Sequence, residues 1–429
     1  MSPPVIAISD AQAVRTLGIL LVIQAVVSYR SIPRILDLFN TQSPLSLAWM
    51  PHFTSVINWT LRVGLGLLKQ VKPVDTPWLA IIDHSIDIGT KKALVVLRVP
   101  LIALSKRAAA IRLQDCECIG LKICERVNGD SIALDLDAIF SQAGNPKAIL
   151  KDGDYTLQKG VRIWSEAQIT TIPVIADIGH ALANALKEQF EKTAPYKRFT
   201  ALITQGSNRL RQTELAFLIP PKLRSKGRFL SVSTLGKWAD KMLEVFAVKG
   251  KAKKGSLLAK LRLALPDLLL LKPFIKRFAS TTIVVSQVME ILKNKGLNQA
   301  SYEKCYQLST SLPKNSKVKQ RLQKWLHHHL EIQKQITDLP LLVSSDIIES
   351  LFGNFKHIIE RSPQADMNRT TLLIPALCGN LDAVTITQAL NQARHNDLEK
   401  WEQANIPYTV RKKRQAFFGK SVSQKAGRG

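Results

Sequence analysis

Three aspartates each stand at the end of a short apolar run: Asp83 after Trp78-Leu-Ala-Ile-Ile82, Asp152 one lysine after Ala148-Ile-Leu150, and Asp177 after Ile172-Pro-Val-Ile-Ala176. Runs of this length and composition read as buried strands. An unpartnered neutral polar group costs roughly 2–7 kcal/mol to bury, and a lone carboxylate more, so an acid at such a place needs a cation or donors to meet it. Each aspartate, taken singly, also has an ordinary reading as a turn residue or a helix N-cap. Acids converging at strand ends suit Mg²⁺ (or Mn²⁺), a hard cation that takes oxygen ligands and keeps positions open for phosphate. Two such ions about 3.5–4 Å apart activate a nucleophile and stabilise the leaving oxygen of a phosphodiester.

The charge balance names the partner for that chemistry. The 429 residues include 60 Lys and Arg against 33 Asp and Glu, a net charge of +27. Such an excess repels itself in a compact body unless something anionic offsets it, and nucleic acid or an anionic membrane are the usual candidates. A solubilising coat of lysines is the plainer alternative. Residues 183–334 hold 30 Lys and Arg against 9 Asp and Glu, so most of the excess lies in one stretch rich in helix formers. Its densest loop is Lys249-Gly-Lys-Ala-Lys-Lys-Gly255. Lys249, Lys251, Lys253, Lys254 and the later Lys356 are candidate contacts to double-stranded DNA, through phosphates that position rather than specify. Acids and charge together point to metal-dependent phosphoryl transfer on nucleic acid.

Other chemistries lack their signatures. There is no G-x-x-x-x-G-K-[ST], no dinucleotide fingerprint, no H-E-x-x-H and no G-x-S-x-G. The five cysteines, at 116, 118, 124, 305 and 378, are too few for a disulfide framework and fit a reducing compartment. Cys116-x-Cys118-x5-Cys124 has no fourth ligand at finger spacing. His327-His328-His329 point in three directions if helical, which fits a solvated helix face better than a metal site. The apolar run Leu17–Val27 is interrupted by Gln24 and falls short of the roughly 20 residues a bilayer needs. Asp10 before it, and no clean cleavage site after it, argue against a signal peptide. The expectation is a cytoplasmic protein, nucleoid-associated when bound to DNA, with no membrane association.

The elements that must position these residues follow from periodicity. Helices are expected at Ala11–Val27, Ser31–Phe39 and Pro51–Leu68, as a helix-turn-helix DNA-binding region or a plain helical cap. Trp78–Ile82 and Ala93–Val99 read as a hairpin around Asp87-Ile-Gly89, with further strands at Cys118–Val127, Ser131–Leu136, Ala148–Leu150 and Thr171–Ala176. Helices are expected at Ala138–Ala143, Thr156–Ala167 and Ala181–Phe190. A helix capped by Ser344 or Ser345 carries a buried stripe of Ile347, Ile348, Leu351, Phe352, Phe355, Ile358 and Ile359. Another spans Val384–Asn405, and Arg411-Lys-Lys-Arg414 opens a basic tail.

Four segments in this order resemble the DDE transposases of bacterial insertion sequences, in a hAT-like arrangement. They are Ile81-Ile-Asp83-His-Ser-Ile-Asp-Ile-Gly89, Ile149-Leu-Lys-Asp152-Gly-Asp, Val174-Ile-Ala-Asp177-Ile-Gly-His180 and Ser344-Ser-Asp-Ile-Ile-Glu349-Ser-Leu-Phe-Gly353. The resemblance implies an α/β fold: an RNase H-like mixed sheet with flanking helices, interrupted by an all-α insertion, plus an N-terminal helical domain. It implies Asp83, Asp152 and Glu349 as the catalytic triad on two Mg²⁺ or Mn²⁺ ions, with Asp177 and His180 accessory. It also implies cleavage at transposon ends, strand transfer into target DNA, and a homo-oligomer. Asp154 rivals Asp152, and Asp87 rivals Asp83; Asp152 is preferred because it lies closer to its strand and precedes Gly153. The domains expected are 1–74 helical, 75–182 first part of the core, 183–340 basic helical insertion, 341–415 C-terminal helices of the core, and 416–429 a flexible basic tail. The alternatives are a catalytically decayed or domesticated DNA-binding protein and an RNase H-type nuclease.

Overall fold

The computed structural model describes residues 6–8, 10–42, 45–47, 49–84, 91–107, 109–124, 128–222, 232–247, 250, 252–359, 368–406, 408–409 and 412–418. It divides into two compact units. Residues 1–103, 111–174 and 345–429 make the first, and residues 104–110 and 175–344 the second.

The chain opens with β1 (Ile6–Ile8), α1 (Ala11–Ile23), α2 (Ser31–Gln42), β2 (Leu45–Leu47) and α3 (Phe53–Lys69). Asp10 caps α1 by accepting the Gln12 N–H, and β1 lies parallel to β2. Then come β3 (Trp78–Asp83), β4 (Lys92–Pro100), α4 (Ala103–Arg107), β5 (Glu117–Cys124), α5 (Gly129–Ala143), β6 (Ala148–Lys151), α6 (Tyr155–Glu166) and β7 (Val174–Ala176). These strands form a five-stranded sheet in the order β5-β4-β3-β6-β7. β3, β4 and β5 are antiparallel neighbours, whereas β6 adds parallel to β3. The first strand is therefore central and buried along its whole length. A run such as Trp78–Ile82, apolar at every position, is what a strand covered on both faces requires.

One sheet face is sealed by α5 and α6. Ala80, Ile82, Val96 and Ile149 pack there with Ile132, Leu136, Phe140, Val161 and Trp164. Residues 131–136, expected as a strand, are the first half of α5. Ile132, Leu134 and Leu136 alternate, but Leu134 is exposed while Ile132, Leu136, Ile139, Phe140 and Ala143 are buried at helical spacing. Asn128 and Ser131 form a capping box that starts the helix ahead of them.

The second unit begins after Val174 and is helical: α7 (Ile178–Leu186), continued by a π turn at Lys187–Glu191, α8 (Ala194–Leu210), α9 (Val232–Phe246), α10 (Leu257–Ala264), α11 (Lys272–Lys295), α12 (Gln299–Thr310) and α13 (Lys317–Ile336). Its core gathers Phe190, Tyr196, Phe199, Phe274 and Phe278, with ring centroids 5.2–6.3 Å apart. No strand occurs among the described residues of 183–334.

The chain returns to the first unit with α14 (Asp346–Ile359), α15 (Leu373–Ala376), α16 (Ala383–Gln392) and α17 (His395–Asn405). The single helix expected over 384–405 is two: the chain leaves helical geometry at Ala393 and Arg394, and the Arg394 N–H donates to Asp397 Oδ2 at 2.9 Å where the second helix starts. Residues 412–418 are helical. Residues 1–74 are not a unit of their own. Gly64 and Gly66 bring α3 against the C-terminal helices so closely that a Cβ on Gly64 would run into the Leu372 carbonyl oxygen, and one on Gly66 into that of Ala389. Arg62 adds hydrogen bonds to the carbonyls of Leu390 and Ala393 at 2.8 and 2.7 Å.

Candidate active site

Asp83 is the last residue of β3, and the parallel pairing of β3 with β6 runs from Leu79↔Ala148 to Ile82↔Lys151. Asp152 comes directly after Lys151, just past the end of β6, so both acids follow the last paired rung of neighbouring strands, which lie about 4.8 Å apart. Alternation gives Asp83 the face of Leu79 and Ile81, opposite the one sealed by α5 and α6. Neighbouring strand ends thus bring near one another two segments that β4, β5 and α5 separate in sequence.

The carboxylates are held by the backbone. The His84 N–H donates to Asp83 Oδ1 at 2.6 Å, and the Asp154 N–H donates to Asp152 Oδ1 at 3.0 Å. Asp83 is buried; Asp152 is half-buried. The rival Asp154 has a different employment, as N-cap of α6, accepting the Leu157 N–H at 2.9 Å. Its Oδ1 also meets Nε2 of the buried His84 at 3.1 Å. Burial opposes its ionisation, but the Leu157 amide and then His84 prevail and hold its carboxyl below the usual range. Lys151 is buried as well, and its Nζ donates to the Asp152 carbonyl oxygen at 2.9 Å. Burial lowers its pKa against the opposing pull of Asp152 and Asp154. Asp87, the rival for Asp83, lies outside the described residues.

Glu349 stands in the first turn of α14, exposed, with Ile347, Ile348, Leu351, Phe352, Phe355 and Ile358 turned inward. α14 packs on α15. Cys378, just beyond α15, neighbours Cys118 closely enough that Cys118 and Cys116 add to the burial that raises its thiol pKa. Cys118 pairs with Leu97, and Leu97 with Ile81. The end of α15 therefore lies on the sheet face that carries Asp83. Glu349 shares a unit with the two strand-end acids. Among the described residues, no three or more His, Cys, Asp or Glu side chains are gathered closely enough to hold a metal ion.

Asp177 and His180 belong to the second unit. Asp177 is buried as the N-cap of α7; its Oδ1 accepts the His180 N–H at 2.7 Å and faces His180 Nδ1 at 3.1 Å. The preceding residue is clamped from α13: Trp325 Nε1 donates to the Ala176 carbonyl at 3.1 Å, and His329 Nε2 accepts the Ala176 N–H at 3.0 Å. His329 Nδ1 lies 2.8 Å from the Trp325 carbonyl, so the ring is neutral, with its proton on Nδ1. Burial pushes its pKa down to about 4. This corrects the reading of His327–His329 as a solvated face: His327 and His328 are exposed, but His329 is a buried strut.

Lys253 and Lys254 are exposed in a turn, and Lys356 is half-buried in the last turn of α14; Lys249 and Lys251 lie outside the described residues. The five cysteines are free. Burial pushes Cys116, Cys118 and Cys305 up to about 12, so they remain thiols. Sequence reasoning did not single out His84 or Lys151, although a histidine directly after a strand-end acid was in plain view.

No family model and no curated protein matches the chain. Among solved structures it is similar to a Drosophila P element transposase strand transfer complex, with a TM-score of 0.44 and 12% sequence identity over 86% of this chain and 92% of that one.

Proposed function

We propose that the chain is a DDE-type DNA transposase built on an RNase H-like core. The observation that carries this reading is that Asp83 and Asp152 each directly follow the last paired rung, Ile82↔Lys151, of two parallel strands. The strand order supports it too, with the first strand central, the second acid on the strand beside it, and the helical unit lying between Asp152 and Glu349. The donor set fits Mg²⁺ or Mn²⁺, being carboxylate oxygens without thiolate or imidazole. Asp83, Asp152 and Glu349 would hold the ions.

When bound, two such ions lower the pKa of the attacking water or 3′-hydroxyl and offset charge on the leaving oxygen. Asp83 and Asp152 contribute a rigid pair of ligands, since the His84 and Asp154 amides fix their carboxylates before anything binds. Glu349 contributes from a helix end whose apolar stripe fixes its position in the first unit. The lysines and arginines of the second unit neutralise the phosphates of the transposon ends and target. A homo-oligomer brings two ends together. The substrate is double-stranded DNA. Among the described residues no helix is long and apolar enough to cross a membrane.

A non-catalytic DNA-binding protein is the second reading, since among the described residues no three His, Cys, Asp or Glu side chains are gathered closely enough to hold a metal ion. Substituting Asp152→Asn separates the two. The transposase loses Mg²⁺-dependent strand cleavage while duplex DNA affinity stays unchanged. Equal loss of both activities, or wild-type behaviour, overturns the assignment. Competition between duplex DNA and an RNA–DNA hybrid distinguishes a transposase from an RNase H-type nuclease.

A further inference from the structure

We infer that His84 is a positioning residue that locks the two strand-end acids into one ligand pair. The inference rests on the reading of Asp83 and Asp152 as metal ligands. His84 follows Asp83 directly and is buried. Its backbone N–H holds Asp83 Oδ1, its ring Nε2 meets Asp154 Oδ1, and the Asp154 N–H holds Asp152 Oδ1. The four residues form one continuous chain of hydrogen bonds, from the carboxylate at the end of β3 to the carboxylate after β6. Both ends of that chain are candidate ligands, and its middle link is a side chain bridging 70 residues of sequence.

Local structure does not account for the bridge. Asp154 already caps α6 by accepting the Leu157 N–H, and that cap needs no histidine. The strand pairing already ends at Ile82↔Lys151. What the ring adds is a fixed relation between two turns that leave neighbouring strands just where the acids stand. Partners behind the ligands of a metal site act in this way, orienting carboxylates that themselves touch the ion. Burial of the imidazole makes the bridge demanding as well as stiff, since a buried ring nitrogen without a partner is costly. Lys151, whose ammonium reaches the Asp152 carbonyl, braces the same turn from the β6 side.

The test is Mn²⁺ binding to the full-length chain by titration calorimetry, with thermal unfolding measured beside it. His84→Ala weakens Mn²⁺ binding by about 10–100-fold, the loss usual for a partner behind a ligand. His84→Gln, whose amide nitrogen reaches Asp154 from the same position, recovers most of it, which a mere packing defect would not predict. Asp154→Asn keeps the helix cap and lowers Mn²⁺ affinity in the same direction, providing a reading should His84→Ala fail to fold. Wild-type Mn²⁺ affinity in His84→Ala or Asp154→Asn, alongside its loss in Asp152→Asn, overturns the role of His84 and leaves the ligand assignment standing. Wild-type affinity in Asp152→Asn overturns the ligand assignment itself.

Discussion

Two places in the molecule set an aspartate at a strand end beside a histidine, and they are built differently. In the second unit, Asp177 and His180 are three residues apart, and helix geometry alone explains their meeting: a buried N-cap accepts the backbone N–H of its N3 residue and draws the ring of that residue alongside. In the first unit, His84 reaches Asp154 across two strands and a helix, and each stands within two residues of an acid that follows the last paired rung of neighbouring strands. A local pair comes with any capped helix. A pair assembled from distant segments has to be specified by the whole fold, which is why the strand-end acids carry the functional proposal and Asp177 with His180 do not.

The largest expected effect breaks the comparison outright. Asp83→Asn should abolish metal-dependent strand cleavage, whereas Asp177→Asn, which preserves the cap, should leave Mn²⁺ affinity at the wild-type value. Comparable loss in both variants, measured by calorimetry and a gel cleavage assay, would erase the distinction between the two sites.

Next comes salt. If the basic helical unit contacts about six or more phosphates, duplex affinity should fall roughly 10³-fold or more from 50 to 200 mM salt. The same slope should appear in Asp83→Asn, because the acids do not contribute to it. A flat response in fluorescence anisotropy would return the lysines to a solvated coat.

A smaller effect concerns the clamp behind Asp177. His329 is held neutral with a folded pKa of about 4, below its unfolded value. Its contribution is therefore complete above the unfolded pKa near 6.5 and is lost as pH falls toward 4, because the unfolded chain takes up the proton first. The loss amounts to on the order of 3 kcal/mol at the acid end of that window. His329→Gln should flatten the decline of stability with falling pH, read from urea midpoints between pH 7 and 4.5.

The smallest effect sharpens the contrast between the two aspartate caps. Asp177→Ala and Asp154→Ala should each cost about 1 kcal/mol through loss of an N-cap, seen as a drop in unfolding temperature. Only Asp154→Ala should also weaken Mn²⁺ binding. Loss of binding in both would mean that helix capping, and not the His84 bridge, governs the site.

Much of the sheet was legible because β3, β4 and β6 are buried on both faces and leave continuous apolar runs. Ser131–Leu136 was misread because Leu134, a large exposed apolar residue, completes a false alternation. Period alone does not reveal that one leucine in a row faces water. The strand-end positions of Asp83 and Asp152 could be read from composition, but their nearness depends on which strands become neighbours, a property of topology. Asp154 looked like a competitor for Asp152. Its partners show it to be a helix cap and an anchor for His84, something only the long-range contact reveals. His329 was hidden for a similar reason: three identical letters in succession do not say which of them turns toward the core.

The two glycines on α3 have a consequence for how the protein comes into being. Gly64 and Gly66 are cut to receive Leu372 and Ala389, which lie on the far side of the entire helical unit in sequence. At a synthesis rate of about 5–20 residues per second, the mating surface emerges from the ribosome tens of seconds after the groove that receives it. α1 and α2 also pack on α3, but throughout that wait the part of the helix that meets Leu372 and Ala389 lacks its cover. A nascent chain of this kind is exposed to premature association, and severing the gene between the two segments would leave neither half with a finished interior.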